Sequence, residues 1–297
     1  MHVSSPEKLI FPADGFTKTD LVGHYERVGH RMIEFLAGRP LTLQRFPSGI
    51  EKKGFMQKNA GDHFPDSIGR ESVPKRGGGE TVYSVVDRAE DLAYLANQNT
   101  VTFHMWTSSA ARPNNPDWLV IDLDPEADDL AGVRTATKIV GDLLGSFGLH
   151  GFPLATGSKG FHVWVPIDGA TGFDQISEVS RALAGMAALA QPEQLTTEFL
   201  KKNRKGRVFV DWLRNGPTAT VVVPFSLRPR PGAPVAVPLQ WEELDQARPD
   251  GWKIDSLSDR LDLDQPITPQ PVPVDEIIAA ARERGVDLDT PHDRFGR

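Results

Sequence analysis

"VIDLDPEAD", residues 120–128, runs through apolar residues and then places Asp122 and Asp124 one leucine apart. Side chains alternate along a strand, so residues i and i+2 share a face. Leu123 can enter a core while both carboxylates stand on the opposite side. Two anions so close repel and resist desolvation, and a bound divalent cation relieves both costs. This stretch therefore reads as a strand that ends in a metal-binding edge.

A third carboxylate comes from "RVFVDWLRN", residues 207–215, where Asp211 closes a short apolar strand. It is the single acid among eight Lys and Arg between Phe199 and Arg230. Hard oxygen donors, in a chain with 0 Cys, select Mg²⁺ or Mn²⁺ over zinc. Three carboxylates can hold two such ions, an arrangement that activates an attacking oxygen and steadies a leaving phosphate. A lone D-x-D is also compatible with a solvated strand end or a helix cap.

"TGSKGFHVWV", residues 156–165, adds a Gly-rich turn, Lys159 and His162 ahead of another apolar strand. Glycines let backbone N–H groups approach phosphate oxygens, and a lysine adds a point charge. An ordinary hairpin turn and a buried histidine are the plainer readings of the same residues. His104 in "TFHMW" is equally open on pattern alone.

The net charge of −7 obscures a strong segregation of sign. Lys8 to Lys58 holds nine basic and five acidic residues, Phe199 to Arg230 eight and one, and Glu242 to Arg297 seven and fourteen. A basic surface for nucleic acid can thus coexist with an acidic mean. Hydrophobic residues at 39% and charged ones at 25% are ordinary for a globular protein. No apolar run is long enough to span a membrane and no signal-peptide core opens the chain, so a cytoplasmic protein with no membrane partner is expected.

Helical spacing predicts a helix from a Thr17/Thr19 start to a Gly38 stop, a helix after an Asp87 cap, one from an Asp cap to Gly148, and a small-residue helix over "DQISEVSRALAGMAALAQ". Strands are expected at "LTLQRFP", "TVYSVV", "VTFHMW", "DWLVIDLD", on both sides of the 157–160 turn, at "RVFVDWL" and at "ATVVVPFSLRP". Residues 48–80 read as irregular and Gly-rich. The expected architecture is α/β (α+β): a mixed sheet core flanked by helices, preceded by a basic α/β lobe. Its domains are an N-terminal DNA-binding lobe over 1–100, a catalytic core over 101–240 and an acidic extension over 241–297 that folds back on the core.

"LVIDLDP", "TGSKGFHVWVP" and "KGRVFVDWLRNGPTATVVVPFSLRPRPGAPV", with "PEKLIFPADGFTKTDLVGHY" and "FMQKN" before them, resemble the signature blocks of the polymerase domain of bacterial DNA ligase D, in the archaeo-eukaryotic primase superfamily. The resemblance runs from about Pro6 to Glu243. It implies a primase-polymerase fold, with Asp122, Asp124 and Asp211 as the catalytic and metal-binding triad for two Mn²⁺ or Mg²⁺ ions. It further implies a nucleotide site made of Thr156, Gly157, Ser158, Lys159, Gly160, His162, Arg204 and His104, taking NTP or dNTP with a ribonucleotide preference. Lys8, Lys18, Lys58 and Phe64 fall where DNA is contacted, Lys18 near a 5′-phosphate and Phe64 as a stacking aromatic.

The implied activity is nucleotidyl transfer at gaps or broken ends of double-stranded DNA carrying a 5′-phosphate, in repair by end joining. A DNA ligase and an end-binding protein are the implied partners of a monomeric, stand-alone paralogue. Thr156 replaces a commoner serine, "PKRGGGE" (residues 74–80) has no counterpart, and the absence of Cys excludes the zinc ribbon of replicative primases. Two rival readings use the same residues: a two-metal phosphodiesterase or nuclease, and a non-catalytic module docking on 5′-phosphorylated ends.

Overall fold

The computed structural model describes residues 2–75, 77–126 and 128–290. In chain order its elements are β1 (Leu9–Phe11), β2 (Phe16–Thr17), α1 (Lys18–Leu36), β3 (Pro40–Arg45), β4 (Phe55–Gln57), β5 (Gly69–Pro74), β6 (Glu80–Val85), α2 (Ala89–Asn97) and β7 (Thr100–Trp106). There follow β8 (Trp118–Asp124), α3 (Leu130–Ser146), β9 (Phe152–Ala155), β10 (Phe161–Pro166), α4 (Phe173–Ala190), β11 (Leu195–Thr196), α5 (Lys201–Arg204), β12 (Val208–Asp211), β13 (Thr220–Val222) and, near the end, α6 (Val274–Glu283).

The chain forms two compact units, each assembled from separate segments. The first comprises Met1–Pro113, Thr220–Pro238 and Asp250–Leu263; the second comprises Asn114–Ala219, Leu239–Pro249 and Asp264–Arg297. The expected boundaries at 100 and 240 do not coincide with these. β7 and β13 pair with each other in the first unit's sheet, so both leave the core where the sequence placed them. The extension divides as well: residues 250–263 join the first unit, α6 joins the second, and 291–297 lie outside the described residues.

In the first unit the strand order is β13-β7-β3-β6-β5, with β4 paired to the far end of β3. α1 begins where expected. Thr17 and Asp20 form a reciprocal capping box, which satisfies two otherwise orphaned amides. Fully buried Tyr25 ties this helix down: its hydroxyl donates to Val101 O at 2.6 Å and accepts from Leu227 N at 3.1 Å. Arg31 donates to the Leu261 and Leu263 carbonyls at 2.8 and 2.7 Å, which fastens the 250–263 segment to α1.

Asp87 does not cap α2, whose N-cap is Arg88; the Asp87 carboxylate instead accepts from the Gly38 amide at 2.7 Å. Residues 48–80, read as irregular, contain β4 and β5. Neither strand has a buried face to betray it by alternation. "PKRGGGE" is the turn of the β5–β6 hairpin, in which Pro74 pairs with Glu80 and the Lys75 amide donates to Gly79 O. Gly78 and Gly79 there take positive φ of 90° and 73°, and Arg76 lies outside the described residues.

The second unit orders its strands β11-β12-β8-β10-β9. Ile121, Leu123, Phe161, Val163 and Val210 are all 0% exposed and occupy alternate positions that share one face, with α3 and α4 packed over the sheet. Asp129 caps α3 through the Gly132 amide, and Gly148 stops the helix just beyond its end at φ 70°. α6 packs on α4, burying Ile277 and Ala281 completely. The opposite face carries Asp122, Asp124, His162 and Asp211 toward one end, beside buried Val120, Trp164 and Phe209.

Candidate active site

Three neighbouring strands place a row of functional side chains on that face. Asp122 on β8 is the direct partner of His162 on β10 and of Asp211 on β12. Asp124 stands two residues along β8 on the same face. The row needs strict register, because a slip of one residue would turn every member into the apolar side. Asn215 guards that register. Fully buried, its amide accepts from Val120 N at 2.8 Å and donates to Val120 O at 2.7 Å and Trp212 O at 3.0 Å, clasping β8 to the turn after β12.

Burial and the neighbouring Asp122 charge push the Asp211 carboxyl up to about 6, against partial relief from Arg214, the Leu213 amide and Arg204. Arg214 answers most of this charge. Its Nη2 lies 3.1 Å and its Nε 3.2 Å from Asp122 Oδ2, and the same Nε lies 3.4 Å from Asp211 Oδ2. Burial alone would lower the Arg214 guanidinium, but Asp122 and Asp211 together raise it. Arg204 answers the third carboxylate, donating to Asp124 Oδ2 at 3.0 Å. It is stacked 4.1 Å over Phe209 and donates to the Glu198 and Phe199 carbonyls.

His162 shows its tautomer through its neighbours. Trp164 Nε1–H donates to Nδ1 at 3.4 Å, so Nδ1 accepts and the proton sits on Nε2, which faces Asp122 Oδ1 at 3.5 Å. Lys159 is half-exposed with Nζ 3.5 Å from Asp128 Oδ1. Thr156 donates its hydroxyl to Gly160 O at 2.7 Å, closing the turn on itself. The Gly157 amide, expected as a phosphate donor, is taken by Pro249 O at 2.7 Å. Gly160 is required for closeness: a Cβ there would lie 2.0 Å from Leu123 O.

The donor set fits a hard divalent cation: carboxylate oxygens, two of them on directly paired residues, with a raised carboxyl that a cation would relieve. Among the described residues, however, no three His, Asp or Glu side chains already converge as a metal cage. In this arrangement arginines hold Asp122, Asp211 and Asp124 as ion pairs.

The remaining expected residues lie in the first unit. His104 is on β7, opposite Thr42 and Val222. Lys18 is 3% exposed and donates to Ser4 Oγ at 2.7 Å; burial, then Lys8 and Arg45, lower its ammonium pKa. Lys8 Nζ lies 3.4 Å from Asn99 Oδ1. Lys58 is exposed just after β4. Phe64 is not placed as a stacking surface: at 3% exposure it packs edge-on against His63 and Tyr94 inside the unit. Phe55 on β4 is the open aromatic, 47% exposed with Arg45 5.5 Å from its ring centre. Sequence reading also passed over Arg214, whose i+3 spacing from Asp211 was the available signal, and Arg45.

Residues 17–267 match the family described as LigD, primase-polymerase domain. The chain belongs to this family. It is 32% identical over 305 residues to the multifunctional non-homologous end joining DNA repair protein LigD of Mycobacterium tuberculosis, an alignment covering 91% of this chain and 40% of the relative. Against LigD of Pseudomonas aeruginosa it is 33% identical over 265 residues, covering 88% and 31%, and against bifunctional LigD of Bacillus subtilis 31%, covering 88% and 42%. The chain therefore spans well under half of each of these relatives. The polymerase domain of Mycobacterium tuberculosis ligase D, solved in complex with DNA, superposes with a TM-score of 0.78 at 30% identity over 97% of this chain and 96% of that one. The primase-polymerase fold is established by that match, and the family's chemistry is nucleotidyl transfer. Among the described residues no helix is long and apolar enough to cross a membrane.

Proposed function

We propose that this protein extends the 3′ end of a primer strand at gaps or breaks in double-stranded DNA, as a repair polymerase of end joining. The observation that carries this reading is the pairing of Asp122 with Asp211 across adjacent strands, with Asp124 on the same face and cations beside all three. Asp122, Asp124 and Asp211 would hold two Mn²⁺ or Mg²⁺ ions, which when bound activate the attacking 3′ oxygen and stabilise the departing pyrophosphate. Arg204 keeps Asp124 aimed and His162 directs its Nε2–H at Asp122, so both act by orienting the carboxylates. Lys159, on the exposed turn, can exchange its weak contact with Asp128 for a triphosphate of NTP or dNTP. A ribonucleotide preference follows from the family resemblance.

In the first unit, the buried Lys18 beside Lys8 and Arg45 forms a cluster of like charge whose mutual repulsion an anion would relieve, which supports recognition of a 5′-phosphate. Phe55 rather than Phe64 has the exposure needed to stack on a base. A ligase and an end-binding protein as partners, and action in the bacterial cytoplasm, are part of the same proposal.

The test is extension of a labelled primer facing a 5′-phosphorylated gap, with rNTP or dNTP and Mn²⁺ or Mg²⁺. Lengthened product that disappears in Asp124→Ala, with DNA binding retained, supports the reading. Shortened product would assign the triad to a nuclease, and tight end binding with no change of length would assign the chain to docking.

A further inference from the structure

We propose that Arg214 is the exchangeable counterion of the Asp122–Asp211 pair, holding the two carboxylates in the metal-free protein and leaving when a divalent cation binds. The inference rests on the reading of the triad as a metal site. It concerns what the chain does before that site is loaded.

The two arginines at the triad are held very differently. Arg204 is 5% exposed, stacks on Phe209 and is anchored by two backbone carbonyls besides its bond to Asp124. Those contacts hold its side chain on several sides at once. The Arg214 side chain is 43% exposed; its hydrogen bond and ion pairs go to Asp122 and Asp211, with Asp124 adding attraction at longer range. Its guanidinium contacts Oδ2 of both carboxylates, the groups that would hold a divalent cation. The backbone beneath it is fixed: Leu213–Asn215 is a short 3-10 turn pinned by fully buried Asn215. Exchange therefore requires only a side-chain rotation into solvent, at the exposed edge of the site.

Electrostatics makes the exchange competitive. A guanidinium and a divalent cation sharing the same two oxygens repel each other strongly at contact distance, so each weakens the other's hold. By linkage, a group that binds the empty site and is displaced on loading lowers metal affinity by the free energy of its own contact. Removing it should leave the carboxylates uncompensated, destabilise the metal-free protein and tighten metal binding.

The experiment is a Mn²⁺ titration of the full chain without DNA or nucleotide, following free Mn²⁺ by electron paramagnetic resonance, paired with thermal melts in EDTA and in Mn²⁺. Arg214→Gln should bind Mn²⁺ about fivefold or more tightly than wild type, the lower end of typical site–site coupling. It should also melt lower in EDTA and recover in Mn²⁺. Arg214→Lys, which can hold one carboxylate but not bridge two, should fall between them and serves if the Gln variant does not fold in EDTA. Mn²⁺ affinity in both variants equal to or weaker than wild type overturns the counterion role. Asp211→Asn separates the two ideas: if wild type and Asp211→Asn bind Mn²⁺ equally, the metal reading itself fails and takes the counterion with it.

Discussion

Asp211 lies directly across the β12–β8 ladder from Asp122, and a single guanidinium, Arg214, reaches both. Two carboxylates side by side on a largely buried face would be a liability in a purely structural sheet. Here the pairing is built into the register, supported from behind by apolar Leu123 and Val210 and from the side by Asn215. The fold spends stability on a charge arrangement that makes sense as a place for a cation.

One consequence is a pH dependence with a definite sign. The Asp211 carboxyl, pushed up to about 6 by burial and by Asp122, holds its proton below that pH and so competes with metal. Mn²⁺ affinity should be flat above about pH 7 and fall about tenfold per unit on acidification below about 6. In the metal-free protein the same shift works the other way. Asp211 protonates more readily folded than unfolded, so its contribution favours folding at low pH and is lost as pH rises from its ordinary 3.8 through about 6. Mn²⁺ titrations across this range check the first statement, and an affinity independent of pH would exclude Asp211 as a ligand.

His24 gives the opposite slope. Fully buried on α1 with Nε2 2.9 Å from Phe225 O, its imidazole is lowered from 6.5 to about 3, chiefly by burial, with the Phe225 hydrogen bond opposing and Arg27 assisting. The unfolded chain takes up this proton and the folded one does not. Stability from His24 is therefore intact above pH 6.5 and lost as pH falls toward about 3, at about 1.4 kcal/mol per pH unit. His24→Gln should flatten the acid limb of a urea-unfolding series. An unchanged limb would show that other groups carry it.

Arg204→Ala should act on structure as well as on nucleotide. The side chain bridges Asp124, two backbone carbonyls and the Phe209 ring, so its loss should cost about 2–3 kcal/mol and free Asp124 to wander. Both nucleotide KM and metal affinity should then worsen. A folded variant with altered nucleotide KM and unaltered Mn²⁺ binding would return Arg204 to a triphosphate contact alone.

Lys18→Met keeps the buried stem and removes the charge. Since burial disfavours that charge and Lys8 and Arg45 repel it, stability should hold or rise slightly. Preference for a 5′-phosphorylated over an unphosphorylated gap should drop by about tenfold, the worth of one charge-assisted contact. Equilibrium binding to the two duplexes at fixed salt measures it directly, and an unmoved ratio would dissociate Lys18 from phosphate recognition.

Much of this was legible along the chain because it is local. The D-x-D strand end, the Thr17 cap, the Gly148 stop and the turn before His162 each follow from a few neighbouring residues. What escaped is non-local or unpatterned. β7 and β13 carry ordinary strand sequences, and nothing in them says that they pair with each other and leave the Asp122 sheet. β4 and β5 have no fully buried face, and the half-buried face of β5 carries Glu71 beside Val73, so they lack the apolar alternation that reveals a strand. Phe64 and Phe55 are both aromatics in a polar stretch, and only packing against Tyr94 decides that the first is inside. Arg214 looks like any solvated charge until the register of Asp122 and Asp211 gives it two partners.

The sharpest test of that register is Gly160→Ala. The residue needs no unusual φ; it is glycine because β10 starts against the carbonyl of Leu123, and a methyl there would sit 2.0 Å from that oxygen. Backbone cannot yield as a flexible side chain does, so β10 must move away from β8 at the point between Asp122 and Asp124. Overpacking of this kind costs about 1–3 kcal/mol, and the pairing of Phe161 with Leu123 is the first to open. His162 would be carried off Asp122 by the same shift, while the Asp211 side of the site, on β12, would keep its partner. The expected variant is folded, melts lower, and binds Mn²⁺ poorly even though every ligand is present. Hydrogen exchange should locate the loosening at 160–163 and 121–124, leaving 208–211 protected. Normal Mn²⁺ affinity with the same local loosening would mean that the β8–β10 register is dispensable for the site, and would move its organising role wholly to β12.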